Sequence, residues 1–298
     1  MGRALLARLG RDAHEVVALV RRPGDSPRAV RTEVADVLDA TALRRAVARV
    51  EPEGVCHLAA LTRVRQSFAE PSRHFAVNVG GTVALLEALR VCGAAAPRLV
   101  FASTAAVYGP GAPQPISEGA RTAPASPYAA SKWAAEELLR YEARTGALGA
   151  VTLRCFNAAG PGDTDPTRLI PRALSAAAGE APSLGVNGDG SAVRDYVHVD
   201  DLAAAYALAL SAARPGEHRV YNVGGAAASV REVVAAVEEV SGRPVPVERR
   251  APQQEPAELR ADSSRLREEL GWAPERSDLL TIVDDAWRAR WGVARRRP

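Results

Sequence analysis

Arg98-Leu99-Val100-Phe101-Ala102-Ser103 is apolar without alternation, and it lies between two amphipathic stretches, one through Val77 to Val91 and one opening at Ser126-Pro127. A strand buried on both faces reads this way, and helices before and after it call for a parallel sheet covered on both sides. The pattern repeats outward. On the C-terminal side comes a strand at 150–155; on the N-terminal side a strand at 54–59, a helix at 42–50 and a strand at 14–20. Strands alternating with helices, joined by right-handed crossovers, make a doubly wound α/β fold. Beyond residue 157 the chain is less regular and richer in Gly and Pro, with helices expected near 199–212, 229–241 and 276–291. Residues 1–157 are therefore assigned to the doubly wound half. Residues 158–298 are assigned mainly to a smaller second lobe, with segments near 190–224 returning to the sheet.

The opening departs from this plan. A doubly wound domain starts with a strand and a glycine-rich turn, whereas Gly2-Arg3-Ala4-Leu5-Leu6-Ala7-Arg8-Leu9 is helical in pattern. The first strand is central in such sheets, and omitting it would remove much of the ~5–15 kcal/mol that stabilises a domain. The expectation is that the recorded start lies inside the reading frame, with Gly2 the last glycine of a G-x-x-G-x-x-G turn.

The chain has 298 residues, of which 47% are hydrophobic, 24% charged and 5% aromatic, which excludes disordered, collagenous and small disulfide-framed classes. A net charge of +3, owed in part to the Arg295-Arg296-Arg297 end, gives no basic face for nucleic acid. No run approaches the ~18–20 apolar residues of a membrane span, so no membrane partner and a cytoplasmic location are expected. Cys56, Cys92 and Cys155 stand apart within apolar segments and read as buried reduced thiols. His14, His74, His198 and His218 are scattered without metal-ligand spacing, and no metal is expected.

Of 38 basic residues only Lys132 is a lysine. A compact ammonium on a flexible stem differs chemically from a guanidinium, so one lysine among arginines points to chemistry at that position. It lies in Ser126-Pro127-Tyr128-Ala129-Ala130-Ser131-Lys132. The Ser N-cap and the first-turn Pro fix a helix start, and four-residue spacing puts Tyr128 and Lys132 on one face. A cation beside a phenol, whose ordinary pKa is ~10, is expected to lower it and make Tyr128 a usable base. Ser103-Thr104 stands at the carboxyl end of a strand, where open α/β sheets bind ligands.

These residues resemble the extended short-chain dehydrogenase/reductases, and among them nucleotide-sugar 4-epimerases of the UDP-glucose 4-epimerase type. The resemblance runs over nearly the whole chain. It rests on His57-Leu58-Ala59-Ala60, Asn78-Val79-Gly80-Gly81-Thr82, Ser103-Thr104 to Gly109, Tyr128 to Lys132, and Arg154-Cys155-Phe156-Asn157. It continues in Gly188-Asp189-Gly190, Arg194 to Leu202 and Tyr221-Asn222-Val223-Gly224-Gly225. The resemblance implies a Rossmann-type sheet with NAD or NADP across its crest. Lys132 would lie on the nicotinamide ribose, Tyr128 would act as base and Thr104 would assist. It further implies cofactor contacts at Gly2, Asp36, Val37, Ala59, Ala60, Asn78, Ser103 and Phe156. Thr104, Asn157, Arg194 and Leu259 are implied on the sugar nucleotide, and a homodimer through helices of residues 77–91 and 133–143. Structural readings stand beside these: Asn78 as a local cap, and Arg194 paired with Asp195 or Asp189.

Three departures bear on function. Gly2 alone represents the glycine turn. Val20 stands where NAD-using relatives have an acid, and Arg21 and Arg22 follow it, which favours a 2′-phosphate and hence NADP unless these arginines are simply solvated. Pro252 replaces an expected diphosphate-binding Arg, for which Arg249 or Arg250 is a substitute. After Thr104 come Ala105 and Ala106, where the similar dehydratases carry Asp-Glu, leaving only hydride and proton exchange at one carbon well supplied. The expected function is therefore a nucleoside-diphosphate-sugar 4-epimerase acting by transient C4 oxidation. An NADPH-dependent nucleotide-sugar 4-ketoreductase and a non-catalytic sugar-nucleotide or dinucleotide binding protein are the alternatives.

Overall fold

The computed structural model describes residues 1–27, 29–91, 97–253 and 255–292. Cys92 and the Arg295-Arg296-Arg297 end lie outside the described residues. In chain order, α1 (Gly2–Arg11), β1 (Val17–Val20), β2 (Arg31–Val34), α2 (Ala40–Val50) and β3 (Gly54–His57) lead to α3 (Val64–Ala69) and α4 (Pro71–Phe75). A π-helical turn at Ala76–Gly80 follows, then α5 (Gly81–Val91), β4 (Arg98–Thr104), a 3-10 turn at Ala105–Tyr108, α6 (Pro127–Arg144) and β5 (Gly149–Cys155). The remainder begins with β6 (Asn157–Ala159), α7 (Leu169–Ala177), β7 (Leu184–Asn187), β8 (Val193–His198), α8 (Val199–Ala212) and β9 (His218–Val223). It ends with β10 (Ala226–Ser229), α9 (Val230–Ser241), β11 (Val247–Arg250), β12 (Glu258–Leu259), α10 (Ser264–Leu270) and α11 (Leu279–Trp291).

The apolar run that opened the sequence reading becomes β4, within a parallel sheet ordered β3-β4-β5-β9. Its side chains alternate between two packed faces. Leu99 and Phe101 join Leu43, Leu85, Leu89, Leu139 and Ala143, so α2, α5 and α6 cover one side. Val100 joins Leu5, Leu9, Leu202, Tyr206 and Leu266, so α1, α8 and α10 cover the other. Burial on both faces explains why the strand carries no polar alternation. The chain folds as the doubly wound, Rossmann-type α/β protein expected.

β1 and β2 pair in parallel with each other. Among the described residues nothing pairs with the other edge of β1, and β3 pairs with β4 alone. The strand expected over 14–20 is confined to Val17–Val20, and β2, Arg-Thr-Glu-Val, is a strand that hydrophobic patterning does not announce. The helix expected through Val77 to Val91 is interrupted: Ala76–Gly80 widens to a π-turn before α5 begins. Such turns recur at functional sites because the extra residue redirects a side chain, here Asn78.

A second core of α7, α9 and α11, with Leu184, Val186, Tyr196 and Trp287, organises the C-terminal part. β8 is its central strand, antiparallel to β10 and parallel to β6 and β12. A small cluster of Val107, Tyr108, Ile116 and Phe156, with Leu259 and Ala261 against it, lies between this part and the main sheet. Among the described residues no helix is long and apolar enough to cross a membrane.

Candidate active site

Ser126 Oγ accepts the Ala129 amide at 3.2 Å and Pro127 occupies the first turn, so α6 starts where the sequence places it. Tyr128 and Lys132 project from this turn and are 8% and 2% exposed. Thr104 ends β4; its hydroxyl accepts the Ala106 amide at 3.2 Å and stands close enough to the Tyr128 phenol to favour its ionised form. Gly109 then reverses the chain at a φ of 69°, with the Ala123 carbonyl 2.0 Å from where a Cβ would stand, so only glycine fits. The fold thus brings Tyr128, Thr104 and Lys132 together at the carboxyl ends of parallel strands.

Their electrostatics differ from the expectation. Burial raises the Tyr128 phenol above its ordinary value, and the neighbouring Thr104 hydroxyl and the charge of Arg168 act in the opposite direction. Lys132 is not among the groups that move it. The reason is where the ammonium lies: Nζ is 4.0 Å from the centre of the Phe101 ring, and its charge acts on His57 below. Burial lowers Lys132 to about 7, against which Glu136 works to keep it charged. Burial likewise takes His57 down to about 3, and Nε2 sits 3.1 Å from Thr82 Oγ1. Because that hydroxyl donates to the Asn78 carbonyl at 2.7 Å, His57 is the donor in the pair and is neutral.

Beneath the pair runs a buried polar network that sequence reasoning missed. Glu136, one turn beyond Lys132, accepts the Ser103 hydroxyl and a fork from Arg154 at 2.7 and 3.1 Å. Arg154 Nη1 donates to the Tyr108 hydroxyl at 3.0 Å, and Tyr108 donates to Asn222 Oδ1 at 2.7 Å. Asn222 Nδ2 reaches the Ile116 carbonyl at 2.8 Å, and Ile116 bonds on both sides to the segment carrying Arg260 and Asp262. The available signal was the four-residue spacing of Lys132 and Glu136.

Several residues expected on a ligand are engaged elsewhere. Ser103 is turned to Glu136. Asn78 spends its amide on the Leu61 backbone, at 2.8 and 3.0 Å, and on Ser131 Oγ at 2.9 Å, tying the loop after β3 to α6. Arg194 pairs with neither Asp195 nor Asp189. Its guanidinium meets Glu255 at 2.6 Å and the carbonyls of Val193 and Pro256, while Asp195 accepts the Gly225 and Ala261 amides. Leu259 is its register partner on β12. Asn157 is exposed and donates to the Asp195 carbonyl at 2.8 Å. Phe156 is packed with Tyr108 and Ile116.

Following β2, Asp36 Oδ1 accepts the Leu38 amide at 3.0 Å, and Val37 lies against Gly81. Ala59 is exposed and Ala60 half-buried, while Arg21 and Arg22 are exposed and without an ion pair among the described residues. Gly2 opens α1, and a Cβ there would meet nothing within 4 Å. Cys56 and Cys155 are free thiols, both raised to about 12 by burial, so they are inert. Among the described residues no group of three or more His, Cys, Asp or Glu is placed to hold a metal ion.

Residues 1–224 match the profile described as the NAD dependent epimerase/dehydratase family. The chain belongs to this family. A member it resembles is a UDP-glucose 4-epimerase of Streptomyces lividans, 45% identical over 268 residues that cover 85% of this chain and 80% of the relative. A solved structure, UDP-glucose 4-epimerase from Brucella ovis in complex with NAD, superposes with a TM-score of 0.90 at 33% identity, covering 98% of this chain and 95% of that one. Another, from Stenotrophomonas maltophila with bound NAD and formylated UDP-arabinopyranose, gives 0.88 at 31% identity, covering 97% and 94%. A nicotinamide cofactor, which the family uses, fits the residues present. Lys132 is 2% exposed, its Nζ lies 4.0 Å from the centre of the Phe101 ring, and it makes no hydrogen bond among the described residues, so its donors are free for a ligand acceptor, with the exposed Ala59 and half-buried Ala60 on the loop after β3.

Proposed function

We propose that this chain is a nucleoside-diphosphate-sugar 4-epimerase acting on a UDP-hexose by transient oxidation at C4. The observation that carries the reading is the buried Tyr128 phenol in the first turn of α6, beside Thr104 at the end of β4 and one helical turn from the sole lysine. Ala105 and Ala106 follow, where dehydration would need an acid and a base. The Tyr128 oxygen takes the proton of the 4-hydroxyl, and Thr104 shares it through its own hydroxyl. Bound nicotinamide supplies a reversible acceptor for the C4 hydride and, in its oxidised form, a positive charge that favours the phenolate. The chain's own part would be to let the oxidised sugar turn in its pocket and, from the Tyr128 oxygen, to return the proton to the re-formed 4-hydroxyl. Lys132 would hold the cofactor's ribose hydroxyls, with Asp36, Val37, Ala59 and Ala60 along its path, while Asn78 and Ser103 act from behind. Asn157, Arg194 and Leu259 would hold the nucleotide sugar, Arg194 as a fork for the diphosphate once Glu255 releases it.

This reading takes residues 1–157 as the dinucleotide-binding half and 158–298 as mainly the substrate lobe. It also includes a homodimer, supported by exposed Val83, Trp133 and Tyr141 on α5 and α6, and a cytoplasmic location, supported by the free cysteines. NAD is the cofactor named with the solved relatives. The exposed, unpaired Arg21 and Arg22 beside Val20 favour NADP as a second reading, and with it a 4-ketoreductase. Incubation of the protein with UDP-galactose and either nicotinamide separates them. Formation of UDP-glucose with no net change in nicotinamide absorbance is the expected result; failure to interconvert the epimers, with net NADPH oxidation on a 4-keto sugar nucleotide, overturns it.

A further inference from the structure

Glu136 stands one helical turn beyond Lys132 on α6, 2% exposed, and the i to i+4 relation puts both side chains on one face. A carboxylate this deep is costly unless its oxygens are satisfied. Glu136 meets that condition from two other strands, through the Ser103 hydroxyl on β4 and the two-nitrogen fork of Arg154 on β5. Its place is therefore fixed independently of Lys132, which forms no ion pair among the described residues. The remaining groups around the ammonium carry no compensating negative charge near neutrality. Tyr128 on the same helix is raised by burial, His57 on β3 is neutral, Cys155 on β5 is a thiol up to about 12, and Phe101 on β4 offers only its ring. Arg154 is itself neutralised by Glu136 and bonded to Tyr108.

We propose that Glu136 is a positioning residue whose carboxylate, locked by Ser103 and Arg154, keeps the only lysine of the chain charged inside the fold and so able to hold a ligand hydroxyl. Its meaning for catalysis rests on the role given to Lys132 above. The charge on Lys132 itself does not, and that is what the experiment reads. Because the sequence has a single lysine, protein grown on lysine labelled with carbon-13 at Cε gives one side-chain resonance, and its shift against pH reports the titration midpoint without assignment. In E136Q the midpoint is expected roughly one pH unit lower than in the unaltered protein. Arg154 left unpaired in that variant would also repel the ammonium or prevent folding, so E136Q/R154M, which removes both charges, is measured alongside. A downward shift that persists in the double variant supports the proposal, and the alkaline limb of kcat/KM should descend with it. A midpoint equal to that of the unaltered protein in the double variant overturns it. Absence of epimerase turnover in the unaltered protein would sink the functional reading while leaving the midpoint comparison decisive for Glu136.

Discussion

The buried floor of the site and its exposed contacts are built on different principles. Below Tyr128 and Lys132, Ser103, Glu136, Arg154, Tyr108 and Asn222 hand hydrogen bonds from one to the next, and every one of these residues is at most 7% exposed. Elsewhere the contacts lie nearer the surface: Arg194, its side chain 17% exposed, meets Glu255 at 40%, and Arg21 and Arg22 stand in solvent. Buried pairs resist exchange because opening one strands a charge, whereas an exposed pair is worth about 0–1 kcal/mol and yields readily to a ligand. The buried network is organised without any ligand. The exposed contacts open at little cost.

The comparison breaks most visibly at Tyr128. If the floor is preformed, Tyr128→Phe removes the proton carrier and nothing else: kcat falls about 10³-fold, with sugar-nucleotide affinity by calorimetry and the thermal midpoint nearly unchanged. Residual turnover within tenfold of the unaltered protein would remove Tyr128 from the chemistry. A smaller effect concerns the floor's neutral base. His57 titrates at about 3 in the fold against 6.5 outside it, so the unfolded chain takes up a proton first and stability falls as pH drops through that window. At pH 5 the loss is about 2 kcal/mol, and His57→Gln should flatten the acid slope of the thermal midpoint. An equal slope in the variant would mean that His57 is not held neutral. The exposed pair gives the smallest effect. Glu255→Gln frees Arg194 for phosphate and is expected to lower KM for the sugar nucleotide about threefold with kcat unchanged. A rise in KM would show that Glu255 itself contacts the substrate.

The sequence carried the placing of the candidate site's residues further than their contacts. Tyr128, Lys132 and Thr104 were legible because helix capping, four-residue spacing and a strand end are local signals, and a solitary lysine is a compositional one. The partners of the floor were not, since Arg154 meets Tyr108 across 46 positions and Tyr108 meets Asn222 across 114. Ser103 and Asn78 occupy expected places yet face away, because residue type and position do not fix side-chain direction. The same limit explains the phenol. Spacing put an ammonium beside it, but χ angles laid that ammonium on Phe101 instead. Strands such as β2 and β11, Val-Glu-Arg-Arg, went unseen because solvated edges carry no apolar rhythm.

The burial of Lys132 also makes the chain its own gauge of opening. A lysine-specific endoprotease has a single bond to cut in this sequence, between Lys132 and Trp133, and the folded helix withholds it. One clean scission into two fragments of known mass would count the molecules whose α6 has come apart, and a bound ligand that braces the helix would slow that count.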